Sequence, residues 1–492
     1  MADKRKPKYQ SNDDFNSTPL VVGLVAVMAV IVLFAVGLRL FLSTGTPEPE
    51  ISTVPTEVIA EEPTEPRPSL WQRLFGSKPA ETEPTETTLP EPEHVVSRAT
   101  ISVTGDILMH MPVINTGLTE TGGYNFDPIF RYLLPDSSAA DLAVANLETT
   151  LCGTEGGYKY SGYPAFNCPD EIVDALKNAG FDLLLTANNH SYDTGEYGFL
   201  RTVNTVRSKG LEVLGTAASL DEPKYLIREV NGIRVGMVCY TYEGPPENPK
   251  PGVVYMNRNA LSDTCAMLIN SYLPTQMDPF YLEAKTVMDQ MKQAGAEATI
   301  MFIHWGTEYK TAPSPEQTTI AQQLCDLGYD VIVGGHPHVI QPVSLLTSRL
   351  QPEHKTVCLY STGNAVSNQR IREMDLKTGH TEDALLFSVT FSKYSDDTVY
   401  LEDAELLPCW VDLRTEGSRS YHIIPLHEEL KDQWAALYGM NTEAAENAMK
   451  SFDRTIALTG PGMTEVRDYL AAQTAQREAD YLAAVTIPTE AA

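Results

Sequence analysis

Short apolar runs alternate with helical stretches from residue 99 onward, and this alternation restricts the fold more than any other feature of the sequence. Strands are predicted at residues 99–104, 142–145, 181–186, 231–240, 298–303, 331–333, 357–360 and 385–391, and helices at residues 169–179, 281–295 and 315–328. Strands that alternate with helices in this way predict an α/β fold. After residue 428 the chain becomes rich in alanine, and two further helices are predicted at residues 442–452 and 464–482.

Polar side chains of the kinds that bind metals recur where the predicted strands end. In chain order they are Asp106, Glu148, Asn189 with His190, His304, and His336 with His338. Ligands of open α/β sheets bind outside the carboxyl ends of the strands, so we expect these residues to meet in one pocket. Carboxylate, amide and imidazole groups together suit Mn, Fe or Zn, commonly as a pair of ions that share a carboxylate.

The segment from Gly334 to His338, with the sequence Gly-Gly-His-Pro-His, is the most specific part of this series. Two imidazoles separated by one proline, after two glycines, predict a rigid loop with no packing purpose. The other residues have ordinary explanations when taken alone, because a strand-end carboxylate can cap a turn and His304 can be a core histidine. Their repetition at successive strand ends favours a single functional site.

Residues 20–38 form nineteen consecutive positions without a charge or a hydrogen-bonding side chain. A helix of this length spans a hydrocarbon core of roughly 30 Å. Four basic residues precede it, whereas only Arg39 follows closely. The positive-inside rule therefore predicts a cytoplasmic tail at residues 1–19, one transmembrane signal-anchor helix at residues 20–42 and an extracellular main domain held at the cell membrane.

Residues 43–98 are predicted to be a disordered linker, because residues 44–94 contain ten prolines and eleven glutamates and cannot bury enough apolar surface to fold. The whole chain has a net charge of −29. Such an acidic protein repels phosphate backbones, so nucleic acid is not an expected partner. The seven cysteines show no CxxC spacing. Cys152 and Cys168 flank a glycine-rich loop and are the best candidates for a disulfide in an extracellular domain.

Taken together, the motifs resemble those of the CapA family of poly-γ-glutamate capsule synthesis proteins, which are related to calcineurin-like metallophosphatases. The motifs are Gly105-Asp106, Asn146-Leu147-Glu148, Asn188-Asn189-His190 with Asp193 and Gly195, His304-Trp305-Gly306 with Glu308-Tyr309, Gly334–His338, and Gly363-Asn364. The resemblance implies a four-layer α/β/β/α sandwich over residues 99–430, followed by a helical extension at residues 431–492. It also implies that the metals lie at the sheet edge.

Roles follow from the resemblance by position. It implies that Asp106 and His338 bind a first metal, that Glu148 bridges two metals, and that Asn189, His304 and His336 bind the second. It implies that His190 protonates the leaving group. The remaining motif residues are candidates for substrate binding: Asn146, Asn188, Asp193, Trp305, Glu308, Tyr309 and Asn364.

Two positions depart from the superfamily pattern. Leu108 stands where the first motif usually has a histidine, so one ligand of the first metal is missing unless His110 replaces it. Glu148 stands where the bridging residue is usually aspartate. Three functions are therefore open: a metal-dependent hydrolase of phosphoesters or amides, a non-catalytic metal-bearing subunit that tethers or guides an anionic capsule polymer in a membrane synthase complex, and a structural surface protein.

Overall fold

The structure is a computed structural model that describes residues 94–485. The predicted cytoplasmic tail, the predicted transmembrane helix at residues 20–42 and nearly all of the predicted linker lie outside these residues. Across residues 94–485, no helix has both the length and the apolar character needed to cross a membrane.

The described residues form strands and helices that alternate along most of the chain. The strands are β1 (Val95–Ile107), β2 (Leu142–Leu147), β3 (Leu183–Leu185), β4 (Glu212–Leu214), β5 (Tyr225–Val230), β6 (Ile233–Tyr242), β7 (Tyr255–Met256), β8 (Asn259–Ala260), β9 (Ser271–Tyr272), β10 (Ala298–His304), β11 (Val331–Gly335), β12 (Val343–Thr347), β13 (Lys355–Leu359), β14 (Asn364–Val366), β15 (Asp383–Tyr394), β16 (Val399–Arg414) and β17 (Ser420–Pro425). The helices are α1 (Met111–Thr116), α2 (Asp127–Phe130), α3 (Leu134–Ser137), α4 (Glu171–Asn178), α5 (Gly195–Ser208), α6 (Asp263–Leu268), α7 (Met277–Gln293), α8 (Pro315–Asp326), α9 (Trp434–Tyr438) and α10 (Thr442–Val485).

Two mixed sheets contain most of these strands. The first has the order β17-β16-β15-β1-β2-β3-β4, and β14 also pairs with β1. Strands β1 to β4 run parallel to one another, whereas β15, β16 and β17 are antiparallel. The second sheet has the order β12-β13-β11-β10-β6-β5, and its central strands β6, β10, β11 and β13 are parallel. The predicted α/β class is therefore confirmed.

The two sheets face each other across one apolar core and carry helices on their outer faces. Side chains of both sheets, such as Val103 of β1 and Phe302 of β10, meet in the central core. The outer face of the first sheet packs against a second cluster that includes Ile172 and Leu176 of α4. The outer face of the second sheet packs against α7 and α8. Parallel strands buried on both faces are continuous apolar runs, which is why β2 and β10 were visible in the sequence.

The C-terminal helix α10 is continuous, so the prediction of two helices at residues 442–452 and 464–482 is wrong. Pro461 lies within it. A Cβ atom on Gly462 would lie 1.9 Å from the Val343 carbonyl oxygen, so glycine lets the helix approach β12 closely. The helix is also tied to β15 by an ion pair, because Arg454 Nε donates to Asp383 Oδ2 at 2.8 Å. The Asp383 side chain is 1 % exposed.

Candidate metal centre

The two sheets bring the ends of four strands to one edge of the sandwich. Asp106 lies near the end of β1, and Glu148 follows β2 directly. His304 is the last residue of β10, which pairs with β11. The Gly-Gly-His-Pro-His segment completes β11 and continues into the next loop, carrying His336 and His338. Residues far apart in the sequence therefore meet because they end neighbouring parallel strands.

The two glycines of this segment allow close packing around the site. A Cβ atom on Gly334 would lie 2.1 Å from the Tyr360 carbonyl oxygen. A Cβ atom on Gly335 would lie 3.0 Å from Asp106 Oδ1 and 3.5 Å from His304 Nδ1. His336 and His338 have φ angles of 96° and 57°, which are unfavourable for side chains with a Cβ. Strained backbone of this kind is retained mainly at functional sites.

Asp106 is held by three neighbours in the site. Its Oδ1 accepts from Asn146 Nδ2 at 2.8 Å, and its Oδ2 lies 3.1 Å from His338 Nδ1 and accepts from the His336 backbone N–H at 3.3 Å. Burial opposes ionisation of this carboxyl, but the bonds and charges of His338 and its neighbours together hold its pKa below the usual range. Asp106 is therefore available as an ionised ligand.

Among the described residues, three groups place potential ligand atoms within 4.8 Å of one another. They are Asp106, Glu148 and His338; Glu148, His304 and His336; and Glu308, His336 and His338. Glu148 belongs to the first two groups and therefore stands between them. Asn189 extends the second group, since its Oδ1 lies 2.7 Å from His304 Nε2.

Two buried polar atoms of these groups lack a hydrogen-bond partner. Glu148 Oε1 has none, although it lies 3.5 Å from His304 Nε2 and 3.9 Å from His338 Nε2. His336 Nδ1 has none either. Leaving such atoms unsatisfied in a protein interior costs about 1–3 kcal/mol each. A cation between them would satisfy both, so the residues present fit a divalent metal.

The imidazoles of His336 and His338 experience opposite environments. Burial lowers the pKa of His336 well below its usual range, with the neighbouring histidines acting in the same direction. Burial would also lower the pKa of His338, but the carboxylates of Glu148 and Asp106 outweigh it and raise that pKa to about 9. A metal ligand must be neutral imidazole, so His336 is ready to bind an ion whereas His338 must first lose a proton.

His190 lies beside the three groups and belongs to none of them. Its Nδ1 is 2.7 Å from Asp193 Oδ2, and the Asp193 side chain is buried. The Phe166 ring contacts the imidazole edge-on, with centroids 4.6 Å apart. A carboxylate on Nδ1 favours the tautomer that leaves Nε2 for a substrate, which is the usual arrangement of a general acid–base histidine.

Several candidates for substrate binding lie in the interior of the protein rather than at the open side of the ligand groups. Trp305 is 1 % exposed and packs in the outer core of the second sheet, where its indole N–H donates to the Tyr360 carbonyl at 2.8 Å. Its side chain therefore lies in the protein interior rather than at the open side of the ligand groups. Asp193 is buried behind His190, and Asn364 is buried behind His338, to whose carbonyl oxygen its Nδ2 donates at 3.2 Å. Both act within the protein rather than at an open surface.

The remaining candidates fall into two sets. Asn146 and Asn188 are buried and bonded to each other, since Asn188 Nδ2 donates to Asn146 Oδ1 at 3.1 Å. They support Asp106 and the loop that carries Asn189. Glu308 is exposed and Tyr309 is half-buried beside His338, with ring centroids 6.0 Å apart. Only these two candidates border the open side of the groups.

The structure does not bring His110 into the ligand groups. Its Nδ1 lies 3.3 Å from both the Leu108 carbonyl oxygen and the Asn368 backbone nitrogen. Burial lowers the pKa of His110 to about 4. Leu108 is itself buried, and neither Leu108 nor His110 belongs to the three groups.

The predicted disulfide between Cys152 and Cys168 is absent, and both are free buried thiols. Their backbones are close, because the Cys152 N–H donates to Asn167 Oδ1 at 2.8 Å. Their side chains differ in surroundings: Cys152 faces α5 near Gly198, whereas Cys168 packs in the outer core of the first sheet. The spacing in the sequence could not show this difference.

Two residues of the site were missed by the sequence analysis. Tyr242 packs against His336, with ring centroids 4.8 Å apart, and burial raises its pKa. Asn257 contacts both Asn189 and His190 from the tip of the β7–β8 hairpin. An asparagine in a short turn was the only signal for Asn257, and it is a weak one.

Comparison with known families agrees with the motifs. The family described as bacterial capsule synthesis protein PGA_cap matches residues 100–369, more than half of the chain. This chain belongs to the PGA_cap family. The matched region contains all the residues of the three ligand groups, together with His190 and Asn257.

Individual relatives with capsule-related names support the PGA_cap assignment. The chain is 27 % identical over 309 residues to the capsule biosynthesis protein CapA of Bacillus anthracis, covering 61 % of this chain and 68 % of that protein. It is 28 % identical over 274 residues to the PGA biosynthesis protein CapA of Bacillus subtilis (strain 168), covering 54 % and 63 %. A probable polyglutamine synthesis accessory protein of Mycobacterium tuberculosis is 22 % identical over 246 residues, covering 47 % and 57 %. The chain thus spans between 57 % and 68 % of the length of these relatives.

Proposed function

We propose that this protein acts in the synthesis of an anionic capsule polymer, poly-γ-glutamate or a similar chain, as a divalent-metal hydrolase of metallophosphatase type. The observation that carries the proposal is Glu148 Oε1, a buried carboxylate oxygen without a hydrogen-bond partner between His304 and His338. A buried charge in this setting favours a bound cation over an empty site. Family membership supports the capsule context.

In this proposal Asp106, Glu148 and His338 hold one ion, and Glu148, Asn189, His304 and His336 hold another. The ligand set suits Mn, Fe or Zn. When bound, such ions lower the pKa of a coordinated water and polarise the bond to be cleaved. The substrate enters from the side of Glu308 and Tyr309, which border the open face of the groups.

His190 is the proposed general acid. Asp193 accepts the proton of Nδ1 at 2.7 Å, which orients the ring and leaves Nε2 to give a proton to the leaving group. Phe166 restricts the ring from the side. His190 is thus positioned to act on a substrate rather than to bind an ion.

The test uses the full chain purified in detergent. We expect elemental analysis to find bound divalent metal, and we expect added Mn²⁺ to support hydrolysis of a model phosphodiester or shortening of poly-γ-glutamate. His190→Asn should keep its metal and lose turnover. Unchanged metal content in a variant lacking both His336 and His338 would refute the metal site.

A non-catalytic accessory role is the second candidate, and Leu108 favours it. The first-motif histidine is absent and His110 does not join the three groups, so the first ion would have fewer protein ligands than in a phosphatase. A protein that binds metal but turns over neither phosphodiesters nor γ-glutamyl chains would be such a subunit, tethering or guiding polymer for a membrane synthase.

We also propose that the described domain lies outside the cytoplasm, anchored by residues 20–42. The basis is the charge asymmetry around that apolar stretch. Protease added to intact, wall-stripped cells should digest the domain. Full protection would refute the topology.

A further inference from the structure

The β7–β8 hairpin places one asparagine against two residues of the site. Its turn consists of Asn257 and Arg258, whose φ angles of 45° and 68° are both positive. Two-residue hairpins prefer turns of this type, and asparagine tolerates the left-handed conformation better than most residues. The short strands carry no ligand residue of their own, so the hairpin has no other evident contribution to the site.

The tip of the hairpin is held rigidly. Met256, just before the turn, is fully buried in the core between the two sheets. The Gly244 N–H donates to the Tyr255 carbonyl at 2.9 Å, and the Arg258 N–H donates to the Gly244 carbonyl at 2.8 Å. A side chain at position 257 therefore has a fixed origin relative to the strands that carry the ligands.

The Asn257 amide meets Asn189 on the side away from the ligand groups. Its Oδ1 accepts a hydrogen bond from Asn189 Nδ2 at 3.2 Å, while Asn189 Oδ1 lies 2.7 Å from His304 Nε2. On the other side, Asn257 Nδ2 lies 3.1 Å from His190 Nδ1, which is a contact rather than a hydrogen bond when Nδ1 donates its proton to Asp193. One amide thus contacts the candidate ligand and the candidate acid together.

We propose that Asn257 is a positioning residue that fixes the orientation of the Asn189 amide, an inference that rests on the proposed metal site. An asparagine side chain can bind a cation through its oxygen but not through its NH₂ group, which only donates hydrogen bonds. Of the two ends of the Asn189 amide, only the nitrogen can donate a hydrogen bond to the Asn257 oxygen. It therefore keeps Asn189 Nδ2 away from the metal and turns Asn189 Oδ1 towards it.

The size of the effect follows from other metal sites. Residues that orient a ligand by a hydrogen bond typically contribute 10–100-fold to metal affinity. Without the Asn257 oxygen, the Asn189 amide can rotate and present its nitrogen to the ion in part of the population. We expect the same range here.

The test measures Mn²⁺ binding to the full-length protein by calorimetric titration and compares three variants. Asn257→Gly keeps the positive φ without strain and removes the amide, so Mn²⁺ affinity should fall about 10–100-fold. Asn257→Asp keeps an acceptor oxygen, so its Mn²⁺ affinity should lie within about threefold of that of the parent. This loss is smaller than the 10–100-fold loss expected when the orienting hydrogen bond is removed. Arg258→Gly, a change in the same turn, should leave affinity unchanged.

Thermal unfolding of the metal-free proteins separates positioning from folding. Asn257→Gly and Arg258→Gly should unfold at similar temperatures without metal, and only the first should lose stabilisation by Mn²⁺. If Asn257→Gly does not fold, Asn257→Ala is compared with Arg258→Ala, which carries the same positive-φ strain in the same turn. Equal Mn²⁺ affinity for Asn257→Gly and the parent overturns the positioning role alone, as does failure of Asn257→Asp to restore binding. A folded parent that binds no Mn²⁺ overturns the proposed metal site and this inference together.

Discussion

Replacement of Glu148 by glutamine tests the centre of the site with the smallest possible change in shape. Glu148 is fully buried and belongs to two of the three groups found in residues 94–485. Glutamine keeps the volume and the bond from Asn146 to Oε2, which is 3.3 Å long. It removes the charge that both ions would share. We therefore expect Glu148→Gln to weaken binding at both positions, whereas a change at His336 should weaken one.

The magnitude can be worked from mass action. At a metal concentration of about 100 times Kd, binding stabilises a folded protein by about 2.7 kcal/mol. If Glu148→Gln raises Kd about 100-fold, the stabilisation at the same concentration falls to about 0.4 kcal/mol. The difference of about 2.3 kcal/mol corresponds to roughly 2–5 °C in Tm for a domain of this size.

The assay is thermal unfolding with and without Mn²⁺, combined with metal analysis after dialysis. Without metal, Glu148→Gln should be close to the parent in Tm, because the unsatisfied Oε1 contributes no hydrogen bond there. Glu243→Gln is the matched control, since this partly buried carboxylate belongs to none of the three groups. Equal metal content and equal Mn²⁺-induced stabilisation in Glu148→Gln and the parent would refute the shared-ligand reasoning.

Three further changes test other parts of the structure. Gly335→Ala should reduce Mn²⁺ binding in calorimetric titration with little loss of stability, because its methyl group enters the ligand groups. Gly334→Ala should instead lower Tm in the absence of metal, because its methyl group meets the Tyr360 carbonyl. A stable Gly334→Ala together with a destabilised Gly335→Ala that binds Mn²⁺ normally would contradict this packing. Arg454→Met should destabilise the protein by about 3 kcal/mol in urea titration, since it removes the arginine partner of the buried Asp383 carboxylate and leaves it with His380 Nδ1 at 3.6 Å. A second change, Asp383→Asn, should recover part of that loss. His110 has a pKa of about 4 in the folded protein, below the ordinary value of about 6.5 in the unfolded chain. Between these values only the unfolded side chain gains a proton, so the free energy of unfolding should fall by about 3 kcal/mol as pH drops from 6.5 to 4. His110→Asn should remove that part of the pH dependence, and an unchanged profile in urea titrations across this range would contradict the assignment.

The sequence predicted most of the parallel strands and their ends, although not β4, because burial on both faces makes such strands continuous apolar runs. β2 and β10 are fully buried along their length. Glu148 directly follows the apolar run of β2, and His304 ends that of β10. Each has an ordinary explanation when taken alone, so it was the repetition of polar residues at successive strand ends that predicted them as site residues. Of the long antiparallel strands, β15 was predicted only in part and β16 was not predicted, since exposed positions interrupt the apolar pattern of β16.

Trp305 shows a limit of transferring whole motifs. Successive residues of a strand point to opposite faces of the sheet. His304 points to the ligand groups, so the neighbouring Trp305 points to the outer core. Asn257 is different, because its role depends on where a separate hairpin meets the loop after β3, and no local pattern encodes that contact.

The two ion positions differ in a way that bears on both proposed functions. Asp106, Glu148 and His338 supply the first position, and Leu108, two residues after Asp106, supplies no ligand. The second position gains the Asn189 oxygen beside His304. With fewer protein ligands, an ion bound at the first position would have more coordination sites free for water, a substrate or a polymer carboxylate. In a hydrolase, water and the scissile group complete that open coordination, and His190 then has a leaving group to protonate. In an accessory subunit, carboxylates of the anionic polymer complete it instead, and His190 has nothing to protonate. Because Leu108 stands in place of a histidine, the two functions differ in which group fills the open coordination. The fold itself does not distinguish them.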